Sequence, residues 1–243
     1  MKCSMLIMLF LRALVILFLV IAVSDAVKFI DQISRQGSQL LLESRNGKSI
    51  RQCSCGEQDI CVKEIQAQID ECFDTCWNNV EKVAHDPKAL KHCFKQKQYI
   101  IDNLVTCVED NLETCVSTKN GKEIPYTDIS KFLTKGEKKL QTQVRNFMLT
   151  IGESAKVILE TALKVGTCMK ECFLRKNSEG FCFDRVGCQP LIEAKSAGRS
   201  LKKCIKNISW KKEASDVCQC MVKSGVVEMD QYCQMLRTMG GGH

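Results

Sequence analysis

Cys61-Val-Lys-Glu-Ile-Gln-Ala-Gln-Ile-Asp-Glu-Cys-Phe-Asp-Thr-Cys-Trp-Asn-Asn-Val80 is the stretch that decides the fold class. Turned at about 100° per residue, its Cys61, Val62, Ile65, Ile69, Cys72, Phe73, Cys76, Trp77 and Val80 fall within one arc of about 160°. Lys63, Glu64, Asp70, Glu71, Asp74 and the following Glu81 fill the opposite arc. That division is the mark of an amphipathic helix with one buried face. Cys72 and Cys76, one turn apart on that face, aim at one neighbouring element and should bridge outward to another helix.

Helical patterns continue downstream. Asp86-Pro87 offers an N-cap followed by proline at the first helical position, starting a helix that carries Leu90, Cys93, Ile101, Leu104, Val108 and Leu112. Its predicted end is near Thr118-Lys-Asn-Gly121. Past Pro125 and Asp128, Leu140, Val144, Phe147, Ile151, Ala155, Ile158 and Ala162 repeat at helical spacing and predict one long cysteine-free helix held by packing. Upstream, residues 27–52 read as a leader or short helix ending in a turn at Ser44-Arg-Asn-Gly47. The expected fold is therefore all-α.

Disulfides should staple it. Lys2 and Arg12 precede the apolar run Ala13–Val23, which is too short to span a bilayer core and suits a secretory signal. Cleavage is expected after Ala26, with Ser24 the near alternative, and an uncleaved anchor is the rival reading. Of the 35 basic and 28 acidic residues, 33 and 27 would remain, a net charge of +6 that is mildly basic and unlike a nucleic-acid binder. Cys3 would leave with the signal. Cys53, Cys55, Cys61, Cys72, Cys76, Cys93, Cys107, Cys115, Cys168, Cys172, Cys182, Cys188, Cys204, Cys218, Cys220 and Cys233 would remain, an even set that an oxidising compartment turns into bridges. Zinc is the rival use, but no C-x-x-C pair is present. Cys218 and Cys220, two apart on a helix, should reach different partners.

The chain thus divides into a signal peptide (1–26), a leader (27–52), a cysteine-rich helical domain (53–233) and a flexible tail (234–243), with no second membrane-length apolar run. Cys72, Cys76, Cys93 and Cys107 are spaced much like Cys168, Cys172, Cys188 and Cys204. Two similar helical halves joined by the long helix would give that spacing, and so would chance among sixteen helical cysteines.

Catalytic chemistry finds little support. Past the signal the titratable imidazoles are His85, His92 and His243, of which the last follows a Gly-Gly-Gly run. His85-Asp86 resembles the His-Asp pair of secreted phospholipases, but the flanking cysteines and glycine-rich calcium loop of that family are absent. A G-x-S-x-G elbow and a phosphate-binding glycine loop are also absent, and paired cysteines leave no thiol nucleophile. No enzyme activity, metal or cofactor is expected.

Binding is the better reading. In segment 194–208, Lys195, Arg199, Lys202, Lys203 and Lys206 form one stripe, opposite Ala194, Ala197, Leu201, Cys204, Ile205 and Ile208. Such a basic stripe must face water; it is either an ordinary solvated face or a ridge for sulfated or carboxylated glycans or acidic membranes. Lys211 and Lys212 would extend it. Asn207-Ile-Ser209 is the single N-glycosylation sequon, and Ser224-Gly225 the single Ser-Gly pair, which either carries a xylose-linked glycosaminoglycan or simply ends a helix.

Cys53-Ser-Cys55, Ile69-Asp-Glu-Cys-Phe-Asp-Thr-Cys76, His92-Cys93-Phe94, the cysteine-poor middle and Cys218-x-Cys220 near Cys233 together resemble nematode-type secreted proteins with a chondroitin proteoglycan four-type domain. The resemblance implies a proteoglycan core in an extracellular matrix or eggshell. The lone Ser-Gly pair departs from it and favours a matrix-associated or anionic-glycan-binding protein. A carrier of a lipid or other apolar small ligand is the alternative, since helical cysteine-stapled folds can enclose cavities. An inhibitor or effector is a third.

Overall fold

The computed structural model describes residues 26–234 apart from 82, 150 and 151. The expected signal segment up to residue 25, Ile151, and the tail from 235 with His243 lie outside the described residues. The chain is a mainly helical fold stapled by disulfides, to which a small sheet is added.

Its elements are α1 (Ala26–Glu43), β1 (Arg45–Gln52), α2 (Cys55–Cys76), a 3-10 turn (Trp77–Val80), α3 (Pro87–Gln96), α4 (Gln98–Asp110) and β2 (Glu123–Thr127). There follow α5 (Ile129–Met148), α6 (Glu153–Lys176), α7 (Cys182–Arg185), β3 (Cys188–Gln189), α8 (Ala194–Lys206), α9 (Trp210–Lys223) and a second 3-10 turn (Val227–Met229).

α2 follows the expected periodicity: Cys61, Ile65, Ile69, Cys72 and Cys76 are buried and Lys63, Asp70 and Asp74 are exposed. Its start is set by a capping box. The Ser54 hydroxyl accepts the Glu57 N–H, and the Glu57 carboxylate accepts the Ser54 N–H at 2.9 Å. Arg51 grips the same carboxylate at 2.9 and 3.0 Å, and its guanidinium, with the Ser54 hydrogen bonds, lowers the Glu57 pKa to about 2 against the opposing effect of burial.

The sixteen cysteines among the described residues are all paired: Cys53–Cys188, Cys55–Cys115, Cys61–Cys182, Cys72–Cys172, Cys76–Cys168, Cys93–Cys220, Cys107–Cys204 and Cys218–Cys233. The two C-x-x-x-C pairs bridge each other in reversed order, which sets α2 and α6 antiparallel along a two-rung ladder. Ile65 and Ile69 of α2 and Phe173 of α6 are buried in the same core. Cys218 and Cys220 reach different partners, one local and one on α3. Six of the eight bridges join the cysteines of 53–115 to those of 168–233, so the two cysteine sets interlock in one body.

Four features depart from the sequence reading. The 27–52 segment is not a simple leader: it supplies α1, which packs on α8, and β1, the central strand of the sheet β2-β1-β3. The turn expected over Ser44-Arg-Asn-Gly47 is confined to Ser44, and Asn46-Gly47 belongs to β1. That pair lies where the register shifts between Arg45 and Ser49, with Gly47 at φ 80°, a bulge that keeps the strand paired on both sides of it.

The helix starting at Pro87 breaks at Lys97 into α3 and α4 and ends at Asp110, not near Gly121. Gly121 instead lies against β1, where an added Cβ would stand 2.1 Å from the Gln52 carbonyl oxygen. The expected long helix is two, α5 and α6, with Gly152 in extended conformation as the N-cap of α6. Nor is α6 free of cysteine, since it carries Cys168 and Cys172.

Candidate anion-binding ridge

Every feature that sets the basic stripe outward comes from how α8 is held. Ser200, Cys204 and Ile205 are buried on its inner side, with Ala194, Leu201 and Ile208 packed against the core. The Ser38 hydroxyl of α1 donates to the Ala194 carbonyl at 2.8 Å, and Cys204 is bonded to Cys107 of α4. With that face fixed, the helical period leaves Lys195, Arg199, Lys202, Lys203 and Lys206 exposed on the other. The stripe runs the length of α8, about 16 Å from Lys195 to Lys206 at the α-helical rise.

Charge pairing separates this stripe from much of the remaining basic surface. Among the described residues, Lys195, Arg199, Lys203 and Lys206 make no ion pair, whereas Lys91, Lys97, Lys135, Lys139, Lys170, Lys176 and Arg185 all meet carboxylates. The Lys203 ammonium donates to Asn111 Oδ1 at 2.8 Å and the Arg199 guanidinium to Ser196 Oγ at 3.2 Å, neutral partners that leave the charge uncompensated. Lys203 and Lys206 also occupy the last turn, where they offset the negative end of the helix dipole. Asn111, 92 residues away in sequence and beyond the end of α4, had no pattern that would single it out.

The stripe does not extend through Lys212. That residue bonds Asp216 at 2.9 Å and belongs to a separate network in which the Lys97 ammonium lies 2.6 Å from Glu213 and 2.9 Å from Asp216. The Tyr99 hydroxyl donates to Glu213 at 2.7 Å. Burial works against the charge of Lys97, but the two carboxylates outweigh it and raise the lysine's pKa. Burial likewise opposes ionisation of Glu213 and Asp216, and the ammonium groups hold both below the usual carboxylate range. The network clamps α9 to the start of α4. The Lys211 side chain lies outside the described ones.

Asn207 is exposed as the C-cap of α8, and Ser209 of its sequon is exposed too. A glycan there would stand at the C-terminal end of the stripe. Ser224 is different. It is buried, its hydroxyl donates to the Cys220 carbonyl at 2.9 Å and touches Cys93 Sγ at 3.4 Å, and Gly225 ends α9 with φ 92°. A sugar chain cannot be attached to that hydroxyl without opening the α3–α9 contact, so the pair is a helix end.

Of the described histidines, His85 and His92 both lie on the surface. Asp86 Oδ1 accepts the Lys88 and Ala89 N–H groups at 3.0 and 2.9 Å as the N-cap of α3, so its carboxylate is committed to the helix while His85 is exposed. His92 Nε2 lies 2.9 Å from the Gln96 side-chain amide on the helix exterior. Among the described residues, no cluster of three His, Cys, Asp or Glu side chains is arranged to hold a metal, and no helix is long and apolar enough to cross a membrane. Comparison of the chain with protein-family models, curated proteins and solved structures yields no match.

Proposed function

We propose that the protein is a non-enzymatic extracellular protein that associates with matrix by binding sulfated or carboxylated glycans along α8. The observation that carries this reading is a helix-long stripe of exposed cations, four of them without an ion-pair partner among the described residues, on a helix bonded covalently to the body. Extensive disulfide bonding suits an oxidising, extracellular setting. With Ser224 buried, the role fits binding an anionic glycan better than carrying one at Ser224-Gly225.

Binding of chondroitin sulfate to the secreted protein, followed by titration at rising salt, tests the proposal. Counterion release should make the logarithm of affinity fall steeply and linearly with the logarithm of salt concentration. Arg199→Glu with Lys206→Glu should lower affinity at low salt at least tenfold with an unchanged helical circular dichroism spectrum. Equal binding by parent and double variant would reduce the stripe to a solvated face.

A carrier of an apolar ligand is the competing reading. One seat for it is a cleft of about 500 Å³ between α5 and α6, lined in part by Met148 and Leu163. Arg145, Glu160, Lys164 and Glu171 line the same cleft, a charged surround that suits a lipid tail poorly. Native mass spectrometry of the secreted protein would decide, because a co-purified lipid mass would favour the carrier.

A further inference from the structure

A cleft of about 510 Å³ opens where three parts of the chain converge: the segment after the first 3-10 turn, the first turns of α6, and the segment leaving α9. Its floor is apolar, from Ala84, Val157 and Ile158, and its rim bears the carboxylates of Glu81, Glu153 and Glu228. Neither Lys nor Arg is among the described lining residues. Lys156, one turn along α6, pairs with Glu153, whereas Glu81 and Glu228 have no ion-pair partner among the described residues.

The walls are fixed before any ligand arrives. Cys93–Cys220 and Cys218–Cys233 lock both sides of the α9 end, and the Asp86 N–H donates to the Ser224 carbonyl at 3.2 Å, tying the 81–86 segment to it. Gly225, at φ 92°, lets the two segments close up: a Cβ there would stand 2.7 Å from His85 Cβ. A preformed cleft spares a ligand the ordering of its walls, and its volume lies within the range of small-molecule sites, about 300–1,000 Å³. Apolar surface is also left uncovered at it, with Val157 52% exposed and Val227, next to Glu228, 59% exposed.

The chain as a whole carries a formal charge of +7, yet among the described lining residues of this cleft the charged groups are three carboxylates, of which Glu153 pairs with Lys156, beside one imidazole. Its apolar floor selects hydrocarbon, and its rim repels fatty acids and other anions while attracting a cation. We propose that the cleft binds a small organic cation with an apolar body, a primary amine whose ammonium group meets the Glu81 and Glu228 rim while its hydrocarbon lies on Val157 and Ile158. This site is independent of the ridge on α8.

Isothermal titration calorimetry of the full secreted protein at low salt, with octylamine, octanoate and tetramethylammonium as probes, tests it. Octylamine should bind once per chain with a dissociation constant of about 0.1–1 mM, in keeping with the affinity a ligand of that size can reach. Octanoate and tetramethylammonium, each lacking one half of the recognition, should bind at least tenfold more weakly. Glu81→Gln with Glu228→Gln should weaken octylamine at least fivefold, and the exposed-site change Val157→Ser should weaken it independently. Equal binding of octylamine and octanoate, indifference to both sets of variants, or no heat from octylamine would each overturn the proposal.

Discussion

Cys204 of α8 is bonded to Cys107 of α4 across a Cα separation of 5.8 Å, and it is the only cysteine that the ridge helix possesses. Cys93–Cys220 already closes the longer loop outside it. The bond therefore adds a ring of about 30 residues, worth about 3–4 kcal/mol by loop-closure entropy. Replacing both Cys107 and Cys204 by Ala should lower stability by that order in urea unfolding. Amides of α8 should lose hydrogen-exchange protection before those of α2 and α6, because local opening starts where anchoring is weakest. Uniform loss of protection would show that α8 is held by packing alone.

The α2–α6 ladder should behave differently. Cys61–Cys182 ties the far ends of the same segments, so Cys72–Cys172 and Cys76–Cys168 add rings of only about 20 and 8 residues, each worth about 2–3 kcal/mol. Removing either bridge by paired Cys→Ala changes should leave a secreted, less stable protein. Removing both should cost about 4–6 kcal/mol, comparable with the lower end of an ordinary domain's margin, and secretion should fail. Normal secretion of the quadruple variant would mean that the buried core holding Ile65, Ile69 and Phe173 suffices without the ladder.

Glu57 sets a pH dependence whose sign follows from its lowered pKa. An unfolded glutamate titrates near 4.5, whereas Arg51 and Ser54 hold the folded one at about 2. Its contribution is therefore complete above pH 4.5, declines as pH falls through the interval, and vanishes below about 2. Glu57→Gln should destabilise at pH 7 by about 1–3 kcal/mol, the range of charge-assisted hydrogen bonds. The gap between parent and variant, read from urea midpoints, should narrow steadily between pH 4.5 and 2. A gap that stays constant would assign the loss to capping geometry and not to charge.

What the sequence disclosed and what it hid divide along one physical line. α2 was legible because its burial period is local, seven apolar positions on one arc that continues through Trp77 and Val80 of the 3-10 turn, and the Asp86 cap because it needs only residues 86–89. β1, Arg45–Gln52, has a single large apolar residue, Ile50, and gives no alternating pattern. It is a strand because β2 and β3, 70 and more residues later, pair with it and Cys53–Cys188 fixes the parallel side. The break between α5 and α6 was hidden because apolar spacing continues across it, so periodicity alone read two helices as one. The stripe on α8 was legible for the same local reason as α2. The engagement of Lys212 by Asp216 and the Lys97 network was not, since it joins α9 to α4 across more than 110 residues.

Asn207 offers the most direct check on whether the ridge works as a surface. It caps α8 one residue after Lys206 and is exposed, so a glycan attached there would project beside Lys203 and Lys206 and not over Lys195 at the other end. Enzymatic removal of N-glycans from the secreted protein should release one glycan's mass, and Asn207→Gln should abolish that shift. The cap itself contributes little, since Asn207 closes α8 through its backbone N–H to the Cys204 and Ile205 carbonyls, a bond that glutamine also makes. Stability should therefore change by less than about 0.5 kcal/mol. Affinity for chondroitin sulfate should stay equal or rise, because removing a bulky neutral neighbour widens access to the last two cations without altering their number. Lower affinity in Asn207→Gln, with melting unchanged, would place the glycan itself in the binding surface and move the contact from the lysine stripe to the C-terminal end of α8.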